Sequence, residues 1–145
     1  MPSDPSLIKL NTIGGTNWGT AGDKISWEFE VEETGLYNIS MRVKQRLATG
    51  MVVFRNIYID DEIPFAEMEN YVFSYSSDWR TQTLGTESEA FQFYLEAGRH
   101  TITMEVSLGV YGTIISDLQD VINNLNKIYR EILIFTGPSP DPYRD

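Results

Sequence analysis

The stretch KISWEFEVEE, residues 24–33, alternates strictly between apolar and polar side chains until its acidic end. Its apolar members are Ile25, Trp27, Phe29 and Val31, and serine or glutamate stands between them. A period of two places one set of side chains on a core and the other in water, as in an antiparallel strand. After a turn at residues 33–35, the same alternation continues from 37 to 44, which predicts a hairpin.

Three further segments show this alternation, at residues 52–60, 91–95 and 102–108. The last two are predicted to form a second hairpin, because Gly98 between them supplies a permissive turn backbone. Many short strands separated by turn signals predict an all-β fold, an antiparallel β-sandwich of the jelly-roll type.

One segment near the C-terminus has a different period. Its apolar residues recur every three or four positions and are Ile114, Leu118, Val121, Leu125, Ile128 and Ile132. This spacing predicts an amphipathic helix. The apolar run at residues 132–135, followed by Thr-Gly-Pro, is predicted to be a last strand, so that the helix precedes the final strand of the sandwich.

The composition excludes several classes of function. A net charge of -10 disfavours binding to nucleic acid and to anionic membrane surfaces. The chain has no Cys and one His, which excludes thiolate catalysis and cysteine-based zinc sites. No apolar run reaches the roughly 18 residues that span a bilayer, so no direct membrane insertion is expected.

The domain organisation is predicted to be simple. A chain of 145 residues suits one domain, and we expect a module over residues 1–137. Residues 138–145, PSPDPYRD, have the composition of a linker. The expected partners therefore include neighbouring domains of a longer parent chain. An unpartnered helix face would also make the excised domain a possible homodimer.

Several motifs resemble those of galactose-binding-like β-sandwiches. Residues 25–31 with 35–39 resemble the family's W-x-F-x-V…G-x-Y-x-I hairpin, and residues 93–102 resemble its L-x-x-G-x-H-x-I hairpin. Residues 57–61 are similar to its V-x-I-D-G turn, with Asp61 where glycine is usual. The resemblance implies the galactose-binding-domain-like fold and leaves the ligand open.

A narrower resemblance concerns residues 55–60, 64–65 and the tail 134–145. These are similar to an accessory domain of large bacterial extracellular solute-binding proteins of carbohydrate-type transporters. The resemblance implies a secreted, cell-surface module akin to carbohydrate-binding modules of families 6 and 35. The function expected from it is non-catalytic glycan binding in connection with sugar uptake.

Trp18 lies in a glycine-rich loop, GGTNWGTAG, ahead of the first strand. An aromatic ring in such a loop can stack on the C–H face of a pyranose. The same residue can instead fold down and cap one end of the core, and the sequence leaves both alternatives open.

Trp79 stands among groups that suit a sugar site, where stacking and hydroxyl recognition are combined. The predicted ligand-binding set is therefore Trp18, Trp79, Tyr75, Asp78, Arg80 and Arg46. Trp79 can equally be a core residue. Arg42, Lys44, Arg46 and Arg55 are candidates for binding anionic sugars such as uronates, or for ion pairs with the acidic strand.

Catalysis and metal binding have weaker support. Glu67 and Glu69 could join the acidic turn at residues 60–62 in a two-carboxylate hydrolase, but nothing sets their separation, and no enzyme is expected. Glu28, Glu30 and Glu32 share one strand face and could contribute to a Ca²⁺ site, although a solvated face is preferred and no cofactor is expected. The rival function is a structural or protein-interaction module that spaces the domains of a solute-binding protein.

Overall fold

A computed structural model describes residues 13–46 and 49–138. It divides into two compact units, one ending at Leu108 and the other beginning at Gly109. Of the residues that are described, those in the first unit form the strands and those in the second form one helix. The predicted boundary at residue 137 stays a prediction, and most of the predicted linker, residues 139–145, lies outside the described residues.

Within the described ranges, eight strands form three antiparallel sheets. They are β1 (Lys24–Val31), β2 (Gly35–Tyr37), β3 (Ser40–Gln45), β4 (Val53–Ile59), β5 (Tyr71–Phe73), β6 (Ser76–Thr83), β7 (Phe93–Leu95) and β8 (Gly98–Ser107). The largest sheet has the order β1-β8-β4-β5, and β2 pairs with β7 and β3 with β6. The prediction of an antiparallel, predominantly β fold is confirmed.

The alternation in β1 has the predicted orientation. Ile25, Trp27 and Phe29 are half-buried and Val31 is buried, whereas the intervening residues are exposed. Trp27, Phe29 and Val31 join a core that includes three fully buried side chains, Ile57, Met68 and Leu84. Apolar residues from β4, β5, β7 and β8 complete this core.

Both predicted hairpins are wrong. β1 pairs with β8, with Trp27 opposite Ile102, and β2 pairs with β7 rather than with β1. Alternation specifies which face of a strand is buried but carries no information about its neighbour. The predicted strand at residues 37–44 is also interrupted, because β2 ends at Tyr37 and β3 begins at Ser40.

The turn after β4 replaces the expected glycine with aspartate. Asp60 and Asp61 both have positive φ, 51° and 67°. Ile59 and Glu62 exchange two backbone hydrogen bonds across them, 2.8 and 3.0 Å long. Two consecutive positive φ values are typical of a type I′ turn, and aspartate tolerates this region better than most residues.

The second unit contains one helix, α1, which spans Val110–Thr136 and has 27 residues. The predicted helix is confirmed, but the predicted strand at residues 132–135 is wrong because these residues are its last turn. The three- and four-residue spacing of apolar side chains continues through them, and no glycine or proline intervenes. Gly137, with φ of 70°, ends the helix and donates a 2.9 Å hydrogen bond to the Leu133 carbonyl.

Candidate functional site

An open groove of about 520 Å³ lies in the β-sheet unit. Residues from β5, β6 and the two loops that flank them line it: Glu67, Asn70, Tyr71, Val72, Ser74, Gln82, Thr83, Gly85, Thr86, Glu87 and Phe91. Most of these side chains are polar, and Tyr71 and Phe91 add two aromatic rings. No Lys or Arg is among the described residues that line the groove.

A hydrogen-bond network holds the floor of this groove. The Tyr71 hydroxyl donates to the Gly85 carbonyl at 3.1 Å and accepts from the Gly85 amide at 3.2 Å. Gln82 donates through Nε2 to the Tyr71 hydroxyl and the Val72 carbonyl, and its Oε1 accepts from Arg80 at 2.9 Å. These contacts connect β5 to β6, which belong to different sheets, so the floor is organised before any ligand arrives.

Backbone packing also shapes the groove at Gly85. A Cβ atom placed there would lie 2.3 Å from the Glu89 carbonyl oxygen and 2.8 Å from the Ala90 Cα. The loop between them closes on itself, with Thr86 and Glu89 joined by a 2.8 Å backbone hydrogen bond. Glycine is therefore required here for close approach of two backbone segments.

Asn70 is a further polar residue of the groove whose conformation is restrained. Its φ is 55°. Its backbone amide donates to Asn56 Oδ1 at 2.9 Å, and its side-chain Oδ1 accepts from the Ser107 hydroxyl. Asparagine is among the few residues that adopt this left-handed conformation readily. The groove thus combines restrained amides with the carboxylates of Glu67 and Glu87, which are exposed at its rim.

Trp18 lies apart from the groove. It is half-buried, packs against the core, and donates from Nε1 to the Asp23 carbonyl at 3.2 Å. The Arg55 guanidinium lies 4.3 Å from its ring centroid, a distance typical of a cation–π contact. Burial lowers the pKa of Arg55, which forms no ion pair within residues 13–46 and 49–138.

Trp79 lies on β6 with 37% of its surface exposed. The Arg42 guanidinium, on the neighbouring strand β3, is 6.0 Å from its ring centroid. Asp78 beside it is exposed and accepts a 3.3 Å hydrogen bond from Ser77. The ring is therefore accessible, on a sheet face rather than in a cleft.

The other predicted residues are placed around this strand pair. Arg80 is half-buried and donates to the Ser74 carbonyl and to Gln82, Tyr75 is half-buried, and Arg46 is exposed just after β3. None of the six predicted ligand residues lines the groove, although Arg80 supports its floor through Gln82. Their assignment as ligand-binding residues stays a prediction.

The β3–β6 pair also contains buried polar atoms without partners in the described part of the chain. They are Nε2 and Oε1 of Gln45 and Nε of Arg80. The strand register shifts between Val43 and Gln45, so these atoms lie beside an irregularity of the ladder. Such atoms are uncommon in native proteins.

A second, smaller depression of about 200 Å³ has a different character. It is lined by Ile59, Pro64, Phe65, Gln92, Phe93, Tyr94 and Leu95, with a single amide among apolar and aromatic side chains. This depression has less than half the volume of the groove, so the groove is the better candidate for an extended ligand.

His100 is part of a structural contact rather than of the groove. Its Nδ1 lies 2.6 Å from Asp60 Oδ2, and its Nε2 lies 2.8 Å from the Glu96 carbonyl oxygen. The bond with Asp60 raises the pKa of His100. Partial burial acts to raise the pKa of Asp60, but hydrogen bonds from His100 and the Thr101 amide outweigh it, and that pKa lies below its ordinary value.

The structure bears on two further features, metal sites and membrane spans. Within the described ranges, no group of three or more His, Asp or Glu side chains is arranged to hold a metal ion. In the same ranges, no helix has the length and apolar character to cross a bilayer.

The groove could not be recognised from the sequence, because its residues come from segments without a strong hydrophobic pattern. β6 reads SSDWRTQT, and its inward positions include Arg80 and Gln82. The one available signal was the threonine and tryptophan content of residues 79–83, which favours a strand.

A scan against protein-family models finds no match, and a search of curated proteins finds none. Among solved structures, the chain is similar to a cycloisomaltooligosaccharide glucanotransferase from Paenibacillus sp., crystallised in complex with cycloisomaltoheptaose. The match has 25% identity and a TM-score of 0.51 and covers 64% of this chain but only 12% of that one. This chain therefore resembles a small β domain within a much larger, carbohydrate-active enzyme.

Proposed function

We propose that this chain is a non-catalytic carbohydrate-binding module that takes neutral glycans in the groove beside β5 and β6. The observation that carries the proposal is the groove itself, about 520 Å³, whose preorganised lining combines polar side chains with apolar and aromatic surface. Similarity to a domain of a glucanotransferase crystallised with a cyclic oligosaccharide supports the choice of ligand. The proposal includes the finer fold assignment, a jelly roll akin to carbohydrate-binding modules of families 6 and 35.

The chemistry of the lining favours hydroxyl groups. Glu67 and Glu87 accept hydrogen bonds from sugar hydroxyls, and the rings of Tyr71 and Phe91 offer apolar surface to C–H groups. An anionic ligand would meet two carboxylates and no Lys or Arg along the described lining, which disfavours it. Because the groove is open and sugars lose hydration on binding, affinity is expected to be weak.

Titration with linear isomalto-oligosaccharides, followed by calorimetry, tests this proposal. Glu67→Gln and Glu87→Gln are expected to weaken binding by about tenfold each, since a charged acceptor is worth more than a neutral one. Glu30→Gln is the matched control, because Glu30 is an exposed glutamate of β1 outside the groove. Absence of saturable binding to any neutral glycan would contradict the proposal.

The six ligand residues predicted from the sequence would place the glycan site elsewhere, around Trp79 on β6. If Trp79→Ala abolishes glycan binding and the two groove substitutions do not, the chain is still a carbohydrate-binding module, but its site lies on the β3–β6 face. A uronate-containing glycan would then be the preferred ligand, because Arg42 lies 6.0 Å from the Trp79 ring.

A second candidate function is the structural or protein-interaction module of an extracellular solute-binding protein. The observation that favours it is α1, in which no residue is buried. This function predicts that Trp18 and Trp79 are both buried and that no groove is open, whereas Trp79 is 37% exposed and an open groove is present. The cell-surface location and the absence of a required cofactor belong to the proposal, and a calcium titration during the glycan experiment checks the latter.

A further inference from the structure

Apolar residues follow a seven-residue repeat along α1. They alternate at intervals of four and three positions and are Ile114, Leu118, Val121, Leu125, Ile128, Ile132 and Phe135. A straight helix has 3.6 residues per turn, whereas this pattern has a mean spacing of 3.5. A seam with that spacing stays in line with another helix when the two supercoil, which is the signature of helix–helix association.

This seam is exposed. Its seven residues retain between 52% and 87% of their surface, from Ile132 at the low end to Phe135 at the high end. No residue of α1 is buried. A helix of 27 residues is about 40 Å long, so the exposed stripe is far larger than the scattered apolar residues of an ordinary surface.

The residue types favour an assembly of more than two helices. With Leu118, Leu125 and Ile132 at position a of the heptad, position d holds Ile114, Val121, Ile128 and Phe135. Leucine at a with β-branched isoleucine at d favours three or four strands over two in parallel assemblies. Ile115, Ile122 and Tyr129 occupy position e and widen the stripe beyond a two-stranded seam.

The charged residues of α1 favour copies of the same helix in parallel. Position g carries Asp117 and Glu131, which face each other in an antiparallel pair but face the apolar e row in a parallel one. The helix holds three acidic and two basic residues, a net charge of -1, against -10 for the whole chain. The helix therefore carries little of the charge by which copies of this acidic protein repel one another.

We infer that α1 is a self-association element, and that this chain forms a parallel assembly of three or four copies through the a, d and e positions. The occupant of the exposed face is the same helix of another copy. This inference does not depend on the proposed glycan binding.

Sedimentation equilibrium of the full chain tests the inference. The expected mass is three or four times the 16.6 kDa of one chain at about 100 μM, with dissociation on dilution. The double variant Leu118→Asp, Leu125→Asp is expected to sediment as a monomer, because it places charges on the seam. A monomeric or dimeric wild-type chain would overturn the inference.

The matched control introduces the same two charges on the opposite face. Ser116→Asp with Asn123→Asp places them at position f of the heptad, and this variant is expected to keep the wild-type mass. If both double variants dissociate, the effect is one of charge alone and the seam is not responsible. Far-ultraviolet circular dichroism of the wild-type chain is expected to lose helix signal on dilution, since an isolated helix of this composition is weak.

Discussion

Leu84 and Leu125 have the same side chain but differ in how much of it is exposed to solvent. In the β-sheet unit, Leu84 is fully buried among core residues, whereas Leu125 on α1 is 60% exposed. Strand alternation in the first unit is satisfied inside a single chain, because several sheets contribute to one core. The helical repeat belongs to a single helix, and one helix alone cannot cover its own apolar face.

Truncation of these two leucines tests directly whether they differ in their contribution to stability. Leu84→Ala is expected to lower the free energy of unfolding by about 2–5 kcal/mol, because a cavity remains in a fully buried site. Leu125→Ala is expected to change it by less than about 0.5 kcal/mol at dilutions where chains are separate. Urea unfolding followed by tryptophan fluorescence measures both, and equal costs would place Leu125 in a core of its own chain.

Gly85→Ala tests how tightly the backbone is packed in the β-sheet unit. The added Cβ meets backbone atoms at 2.3 and 2.8 Å, so the loop must shift, at an expected cost of about 1–3 kcal/mol. Gly19→Ala is the control, since its Cβ meets nothing within 4 Å. Because Gly85 lines the groove, glycan affinity should fall with stability, and thermal unfolding with a parallel titration checks this. A stable, fully binding variant would show that the loop can relax.

The Asp60–His100 contact contributes stability only in one range of pH. The raised pKa of His100 means that its contribution is complete below its ordinary value of 6.5 and is lost as pH rises through the folded-state pKa. The lowered pKa of Asp60 means that its contribution is present above 3.8 and is lost as pH falls through its folded-state pKa. The wild-type chain should therefore exceed His100→Gln in stability more at about pH 5.5 than at about pH 8.

Urea midpoints of both proteins at the two pH values measure this difference. Asp60→Asn is the control, because asparagine tolerates the positive φ of residue 60 while removing the charge. In that background the pH dependence should become smaller without vanishing, because the hydrogen bond to the Glu96 carbonyl also raises the pKa of His100. A constant difference across pH would mean that the contact is a neutral hydrogen bond.

The smallest effect is expected at Arg99. Its ion pair with Glu28 is 3.7 Å long, and both side chains are more than two-thirds exposed. Water and salt screen such a pair, so Arg99→Ala should change the free energy of unfolding by no more than about 0.5 kcal/mol. The same urea experiment at low and high salt checks this, and a large salt-dependent loss would show that the strand face is more protected than its exposure indicates.

Sequence patterns predicted the elements whose apolar side chains have a regular period. β1, β4, β8 and most of α1 belong to this class, since Trp27, Ile57 and Leu118 each lie on a row of similar residues. Pairing partners were not predictable from these patterns. Trp27 lies opposite Ile102, but the alternation of β1 would be the same if another strand with apolar residues stood there. Residues 132–135 were misassigned because a short apolar run fits a strand and a helix equally well.

The candidate groove was not predictable from sequence patterns, because it depends on contacts between separate segments of the folded chain. Its floor depends on Gln82 and Tyr71, which meet only because β5 and β6 from separate sheets lie side by side. Gly85 was unremarkable in sequence, and its role depends on the distance to Glu89 in the folded loop. Sequence analysis drew attention to Trp18 and Trp79, neither of which lines the groove, whereas its aromatic residues are Tyr71 and Phe91.

The edge of the largest sheet also limits how copies of this chain can associate. Among the described strands, β1 pairs only with β8, and its exposed face carries Glu28 and Glu30. Two copies that met edge to edge through β1 would bring these carboxylates together, and charged edges of this kind oppose strand addition. A contact of β1 with β1 of a second copy buries the same edge in both chains and closes as a dimer, and the carboxylates oppose it. The acidic edge therefore disfavours association through this sheet, whereas the seam of α1 carries no charge at its a and d positions.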